Sequence, residues 1–589
     1  MNSNKTKCVL LLLFIFMKIG CYANFHEWAK TPPMGWNSFD RFITSINEEQ
    51  CLAQVDAQAK YLKNFGWDIF VLDHRWYTDD SRETPQKEGD PTYIDEYSRL
   101  VPSSKKFPSS ADGNGLKFLA DYAHSKGLRF GIHIMRGIPR HAVKTGTSIK
   151  GTNYKAADIA NIESTCVWCP DMYGVDMEKC GAQEYYDSII QLYADWGVDF
   201  IKVDDISRPY ATPEIEAIRK AIDKTGRKII LSLSPGDTSL SEGEHANRFA
   251  NMWRVSDDFW DRWASLQAMF IRMHNWTKFR RIGSWPDADM LPFGVIDGGR
   301  KTNFTKDEQR TCMGFWCITR SPLMLGADMT QMDDWTLSLL TNKEVLEINQ
   351  NSVNNRQLYR KGDIVVWVAD VPNSEDKYVG LFNAETAGIK DVDIFKAAYR
   401  SIQIGKAGER VAEISANIKG SKRLGLYLGD SGDGISFDHA AWLNPTLKGP
   451  AGVLKLTDLK WTKASAGWGE PQKNMTSDGK PIDGIGTHSV SLICWDLPKG
   501  YDTFTATGKL VDDCEEKGSV EFFVLTDKAF NSEVPEEIEI SVDLNDLGFK
   551  GMVKVRDLWE CKDIGNFQGT FSRILKSHAS GLYRLSPVK

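Results

Sequence analysis

Two short carboxylate-bearing segments carry the chemistry of this chain. Ile201-Lys202-Val203-Asp204-Asp205 and Trp253-Arg254-Val255-Ser256-Asp257-Asp258 each run from apolar residues into aspartates. Two carboxyl groups flanking one bond can break a glycoside: one attacks the anomeric carbon or activates water, and the other protonates the departing oxygen. A separation of roughly 5–5.5 Å gives retention, and a wider gap leaves room for water and gives inversion. Aldolases and isomerases also use carboxylates at barrel rims, so the pair alone leaves the reaction open. Lys202 is placed to keep Asp204 ionised, because a basic neighbour lowers a carboxyl pKa. Asp258, beside Asp257 and Asp261, is expected to hold its proton more tightly through like charge, as an acid catalyst requires.

The elements around these segments alternate. Strand-like runs occur at Met34-Gly35-Trp36, Ile69 to Asp73, Phe130 to Ile134, Phe200 to Asp204, Ile229 to Ser234, Met252 to Asp258, Ile282 to Asp289 and Leu323 to Asp328. Helical patterns at Glu48 to Phe65, Gly115 to Lys126, Ala182 to Trp196 and Pro213 to Thr225 separate some of them. Eight such strands with intervening helices predict a (β/α)8 barrel, whose active site lies at the C-terminal ends of the strands. A single terminal aspartate is most simply a helix cap or turn residue, but several at corresponding strand ends are harder to explain that way.

The chain has 589 residues, too many for one hydrophobic core, so two to four domains are expected. After Leu340 the pattern turns to β, with Ile364 to Val368 and Tyr378 to Phe382 as strands around a polar hairpin loop. The tail from Glu537 to Leu585 is again strand-rich, and residues 399–527 differ in character, with many Gly, Asp and Trp. The organisation expected is a leader at 1–23, a barrel at 24–340, a C-terminal antiparallel β-sandwich domain from 341–398 and 528–589, and a β-sandwich inserted at 399–527. The leader has Lys5 and Lys7, an apolar run from Cys8 to Met17 and a small-residue exit at Ala23, which reads as a secretory signal too short to span a bilayer. Export follows, to a periplasm or the medium, with a lipid anchor at Cys21 as an alternative. Cys166, Cys169 and Cys180 suggest one disulfide rather than zinc. The net charge of −7 gives no electrostatic reason to expect nucleic acid.

Four motifs then carry a resemblance. Thr31-Pro32-Pro33-Met34-Gly35-Trp36-Asn37-Ser38, Lys202-Val203-Asp204, Arg254-Val255-Ser256-Asp257-Asp258 and Trp285-Pro286-Asp287-Ala288-Asp289-Met290 resemble glycoside hydrolase family 27, which contains α-galactosidases and α-N-acetylgalactosaminidases. The resemblance implies a retaining exo-glycosidase that removes terminal α-linked galactose-type sugars, with Asp204 as nucleophile and Asp258 as acid/base. It implies sugar contacts from Trp36, Phe39, Asp73, His74, His133, Lys202, Ser234, Arg254 and Asp289. It implies no cofactor for catalysis, and a carbohydrate as the partner.

Two departures bear on the sugar. The family usually has paired aspartates after the second strand, gripping O4 and O6; here Asp73 is followed by His74, and a neutral imidazole accepts only one hydrogen bond. That substitution admits N-acetylgalactosamine, a pentopyranose or a charged sugar. Ser234 resembles the N-acetylgalactosaminidases, and Arg75 and Arg136 could line a rim for an anionic sugar or pair with nearby acids such as Asp79 or Asp80. Within 420–527, Gly432 to Ala440, Gly467-Trp468-Gly469 and Gly484 to Ser489 resemble the NPCBM carbohydrate-binding modules. This implies glycan contacts from His439, Trp442, Trp461, Trp468 and His488, with a structural calcium in some members; each of those side chains could equally be sandwich core. A non-catalytic glycan-binding protein on a retired barrel is the remaining alternative.

Overall fold

The computed structural model describes residues 25–79, 92–166, 168–385, 392–405, 409–431, 435, 437–474, 476–477, 480–481, 483–511, 518–530 and 537–588. The leader at 1–23, Asp80, and Gly432-Asp433-Gly434 with Ser436 lie outside the described residues. Among the described residues no helix is long and apolar enough to cross a membrane.

Eight parallel strands form one curled sheet: β1 (Met34–Asn37), β2 (Ile69–Leu72), β3 (Arg129–Met135), β4 (Phe200–Asp204), β5 (Ile230–Leu233), β6 (Met252–Arg254), β7 (Trp285–Asp287) and β8 (Leu323–Leu325). They pair in the order β7-β6-β5-β4-β3-β2-β1-β8, and a parallel bridge from Leu291 to Leu325 links the two ends. Parallel strands are covered on both faces, which is why these segments read as nearly continuous apolar runs. The strands are shorter than their sequence patterns: Ile282 is 67% exposed, and pairing on β7 starts only at Trp285. The apolar run there outlasts the ladder because its first residue faces solvent.

Helices α1 (Glu48–Tyr61), α2 (Lys117–Ser125), α3 (Ala182–Trp196) and α4 (Thr212–Thr225) follow β1, β2, β3 and β4. α1 starts at a capping box in which the Asn47 side chain accepts from the Gln50 N–H and Gln50 returns the bond to the Asn47 N–H. α3 ends at Gly197, φ 93°, and α4 at Gly226, φ 71°; both are left-handed conformations that glycine adopts without penalty.

Val353–Lys361, Ile364–Asp370 and Lys377–Asn383 pair with Ser580–Pro587, Val553–Asp557 and Lys562–Phe567 in a six-stranded antiparallel sheet, so one sheet is built from both sides of the insertion. The second compact unit comprises residues 262–268 and 384–538. It begins before residue 399, where the sequence character changes, because Val392, Ile394 and Ala397 pack on Tyr427, Leu492, Phe523 and Leu525. Two antiparallel sheets make its sandwich, enclosing a core that includes Leu424, Trp442, Ile485, Trp495, Phe504 and Phe522.

Candidate active site

The polar residues of the barrel gather at the C-terminal strand ends. In the β3–β4 ladder His133 pairs with Lys202 and Met135 with Asp204. Side chains two apart share a face, so Lys202 and Asp204 point the same way from β4, and His133 joins them from β3. Asp204 is buried, and both its oxygens are held: His133 Nε2 lies 2.8 Å from Oδ2, and the Asp205 backbone N–H donates to Oδ1 at 2.9 Å. Burial alone would raise the Asp204 pKa. The hydrogen bond and charge of His133, with help from Lys202, outweigh it and hold the carboxyl below its ordinary value.

Lys202 turns chiefly to Asp73, donating to Oδ2 at 3.1 Å, while Asn37 donates to the same oxygen at 2.6 Å. Asp73 is fully buried, yet Lys202, His133 and Asn37 overcome the burial penalty and hold its pKa well below the usual carboxylate range. The expectation that Lys202 keeps Asp204 ionised is therefore modified: His133, assigned above to the sugar, is the nearer agent, and it is wholly buried.

Across the sheet, one Arg254 nitrogen lies 3.1 Å from Asp258 and 2.8 Å from Asp289. Asp258 is the exposed member, with 56% of its side chain accessible, while Asp289 accepts the Phe259 backbone N–H at 2.7 Å. Arg254 faces Asp287 in the β6–β7 ladder. Burial and the neighbouring Asp289 push the Asp287 carboxyl up to about 7, against the pull of Arg254. Burial, then Asp289 and Asp258, push buried Asp40 well above its ordinary value. The like charges expected beside Asp258 are engaged elsewhere: Asp257 pairs with Arg208 at 2.7 Å, and Asp261 with Arg300 at 2.6 Å. Asp289 and Asp40 are the acids that feel the charge of Asp258. Sequence reasoning did not single out Asn37, Asp40 or Asp287 as site residues, although Asn37 and Asp287 stand inside the quoted motifs.

Several assignments change. Trp36 is fully buried, stacked on Phe70, and its indole N–H donates to the Ala327 carbonyl at 2.7 Å, so it belongs to the core rather than the rim. Phe39 is half-buried under the Lys202 ammonium. Ser234 is 1% exposed, and its backbone N–H donates to Val203. Arg75 and Arg136 form no anionic-sugar rim. Arg75 is buried 3.9 Å from Asp171, while Arg136 pairs with Asp205 at 2.9 Å and Glu214 at 2.7 Å. Asp79 instead accepts from Ser103 and Tyr93. His74 is buried, with its ring 5.0 Å from that of His133 and 5.9 Å from that of Trp168, a half-exposed aromatic that the sequence patterns did not point to. Burial, then the positive character of His133, holds the His74 pKa well below its ordinary value, so it is a neutral imidazole.

Cys166, Cys169 and Cys180 are free thiols, contrary to the expected disulfide. Cys166 turns to Asp205, its thiol pushed up to about 12 by burial and that carboxylate, and Cys180 meets Tyr154. Among the described residues no group of three or more His, Cys, Asp or Glu side chains is gathered to hold a metal ion.

In the inserted unit His439 and His488 pair across adjacent strands with rings 4.5 Å apart, and Trp468 stands 5.1 Å from His439. Trp468 is 60% exposed, whereas His488 is buried and its pKa falls to about 4. Trp442 does not join them. It lies fully buried against Phe522, a core residue, and Trp461 packs partly buried beside Trp495.

A parallel barrel presenting carboxyl groups, a lysine and an arginine at its strand ends is an arrangement that serves glycoside hydrolases. The comparisons with known proteins agree. The family model described as alpha galactosidase A matches residues 171–351, the NPCBM/NEW2 domain matches 452–546, and the alpha galactosidase C-terminal beta sandwich domain matches 528–585. A β-L-arabinopyranosidase of family 27 from Geobacillus stearothermophilus, solved in complex with arabinose, is 37% identical. The match covers 96% of this chain and 99% of that one, with a TM-score of 0.68. A candidate α-N-acetylgalactosaminidase from Bacillus halodurans is 32% identical over 95% and 97% of the two chains, with a TM-score of 0.63. Alpha-galactosidase 2 of Arabidopsis thaliana is 29% identical over 58% of this chain and 72% of its own length. The chain belongs to glycoside hydrolase family 27.

Proposed function

We propose that this glycosidase releases a terminal pentopyranose of galactose configuration, β-linked L-arabinopyranose, by double displacement. β-L-Arabinopyranose has the ring stereochemistry of α-D-galactopyranose and lacks only the hydroxymethyl group on C5. The observation that carries the proposal is His74: it stands where the family resemblance expects the second of the paired aspartates that grip O4 and O6, and the lost grip is assigned to O6. Its buried neutral ring, lodged between His133 and Trp168, puts bulk where a galactosidase offers a carboxylate. Asp73, with Lys202 and Asn37 on it, retains the grip on O4. A ring in place of that carboxylate takes up space a hydroxymethyl group would need and offers a single acceptor where the carboxylate would offer more. The arabinopyranosidase activity of a relative matched over nearly its whole length supports the same sugar.

Asp204, ionised and backed by two N–H donors, attacks the anomeric carbon. Asp258, at the open edge of the site, gives its proton to the leaving oxygen and then takes one from water. Arg254 holds Asp258 and Asp289 in fixed relation. Initial rates on aryl β-L-arabinopyranoside, aryl α-D-galactopyranoside and aryl α-N-acetylgalactosaminide test the assignment. The arabinoside is expected to lead in kcat/KM by about a hundredfold, the scale on which a pocket rejects a group it cannot accommodate. Equal or faster turnover of either hexoside would overturn it.

A further inference from the structure

We propose that His133 is a positioning residue for the second half of the reaction, holding the Asp204 carboxylate as the group that departs when water releases the sugar. The inference rests on the double displacement at Asp204 proposed above. His133 is 0% exposed, and its ring nitrogen is turned to the carboxylate. Its Nε2 is 2.8 Å from Asp204 Oδ2, and against an ionised carboxylate that nitrogen must carry the proton and donate. The ring is fixed in place: its residue belongs to the β3–β4 ladder, and its carbonyl accepts the Trp76 indole N–H at 2.7 Å. Nδ1 finds no hydrogen-bond partner among the described residues, so Asp204 is the one group there to which this imidazole is hydrogen-bonded.

A hydrogen bond to an anion is about twice as strong as one to a neutral acceptor. In the first step an Asp204 oxygen bonds to C1, the C1–O bond to the aglycone breaks, and the leaving oxygen takes the Asp258 proton. Asp204 is then a neutral ester, and the bond from His133 weakens. In the second step a water oxygen bonds to C1 and gives its proton to Asp258, and the electron pair of the ester bond returns to Asp204. The bond from His133 regains its strength as that charge returns, so it favours deglycosylation and slightly opposes glycosylation. The other charged and titratable groups facing Asp204 are Lys202 and Asp205 on its own segment, and Asp73 and His74 at the end of β2. Lys202 donates to Asp73, leaving His133 as the side-chain donor on the nucleophile. Asp73 pushes the Asp204 pKa up, and removing His133 leaves that push and burial less opposed.

The test compares His133→Phe and His133→Leu, which lack a donor, with His133→Gln, which keeps one. The substrate is the dinitrophenyl glycoside of whichever sugar the wild type turns over best. Without the donor, kcat is expected to fall about ten- to a hundredfold. KM falls with it, so that kcat/KM changes by less than about threefold. Stopped-flow traces should gain a burst approaching one aglycone per enzyme, intact mass should show a glycosyl adduct, and the acid limb of kcat/KM should move to higher pH. The Gln variant should recover most of the wild-type kcat and lose the burst. A parallel fall in kcat and kcat/KM without a burst would overturn the role of His133, as would a Gln variant as slow as Phe or Leu. Peptide mapping of wild type after a 2-deoxy-2-fluoro-glycosyl fluoride separates the two levels. Label away from Asp204 defeats the double displacement, whereas label on Asp204 without a burst in the donor-free variants defeats only the inference about His133.

Discussion

The barrel rim and the inserted sandwich both gather histidine and aromatic side chains, but they manage charge in opposite ways. At the rim, Asp73, Asp204, Asp287, Asp289, Lys202 and Arg254 are all buried or nearly so, and most are held in charge by a partner from a neighbouring strand or loop. In the sandwich, His439, Trp468 and His488 meet as rings, and burial lowers both histidine pKa values, which favours the uncharged imidazole. Bond breaking needs preorganised charge in a dry place, and buried charge is tolerable only when paired. Holding a glycan by its apolar face needs rings and a polar tip, without buried ions.

That contrast is sharpest at Asp204, the proposed nucleophile. Asp204→Ala should lower kcat by about 10⁴-fold or more on every aryl glycoside, as loss of a group acting within a catalytic unit does. A variant retaining a tenth of the activity would place the chemistry elsewhere.

The two tryptophans of the sandwich test the other side. Trp442→Ala removes a fully buried ring and should destabilise the inserted unit by about 3–5 kcal/mol in denaturant unfolding followed by a probe on that unit. Trp468→Ala should leave stability within about 0.5 kcal/mol, since the ring is a surface one. It should change turnover of a small aryl glycoside less than twofold, and lower retention on an immobilised glycan. If Trp442→Ala is the neutral change and Trp468→Ala the disruptive one, the division between core and contact in this unit is wrong.

A smaller effect is expected from Asp287. Its folded-state pKa of about 7 is raised above the ordinary carboxylate value, so its contribution to stability is fully present below pH ~4 and is lost as pH rises through 7. Asp287→Asn, which can still accept the Asp289 backbone N–H, should flatten the pH dependence of stability between about 4 and 7 and raise the melting temperature at pH 8. An unchanged profile would mean that Arg254 keeps Asp287 ionised. Asp73 and Asp204 act with the opposite sign. Their depressed pKa values add stability above the unfolded value, and acid removes it as pH falls through their folded values.

Periodicity and strand-end aspartates were enough to predict the barrel and a polar rim at its strand ends, because a parallel strand covered on both faces has to be apolar and the rim has to be polar. Gly197 and Gly226 marked helix ends for an equally local reason, the need for positive φ. What lay beyond the sequence was pairing across strands. That His133 serves Asp204 and Lys202 serves Asp73, that Arg75 and Arg136 are spent on buried acids, and that Trp36 and Trp442 are core all depend on which side chains meet over large sequence separations. A residue's type states what it can donate or accept; only the register of the ladder and the burial around it decide to whom.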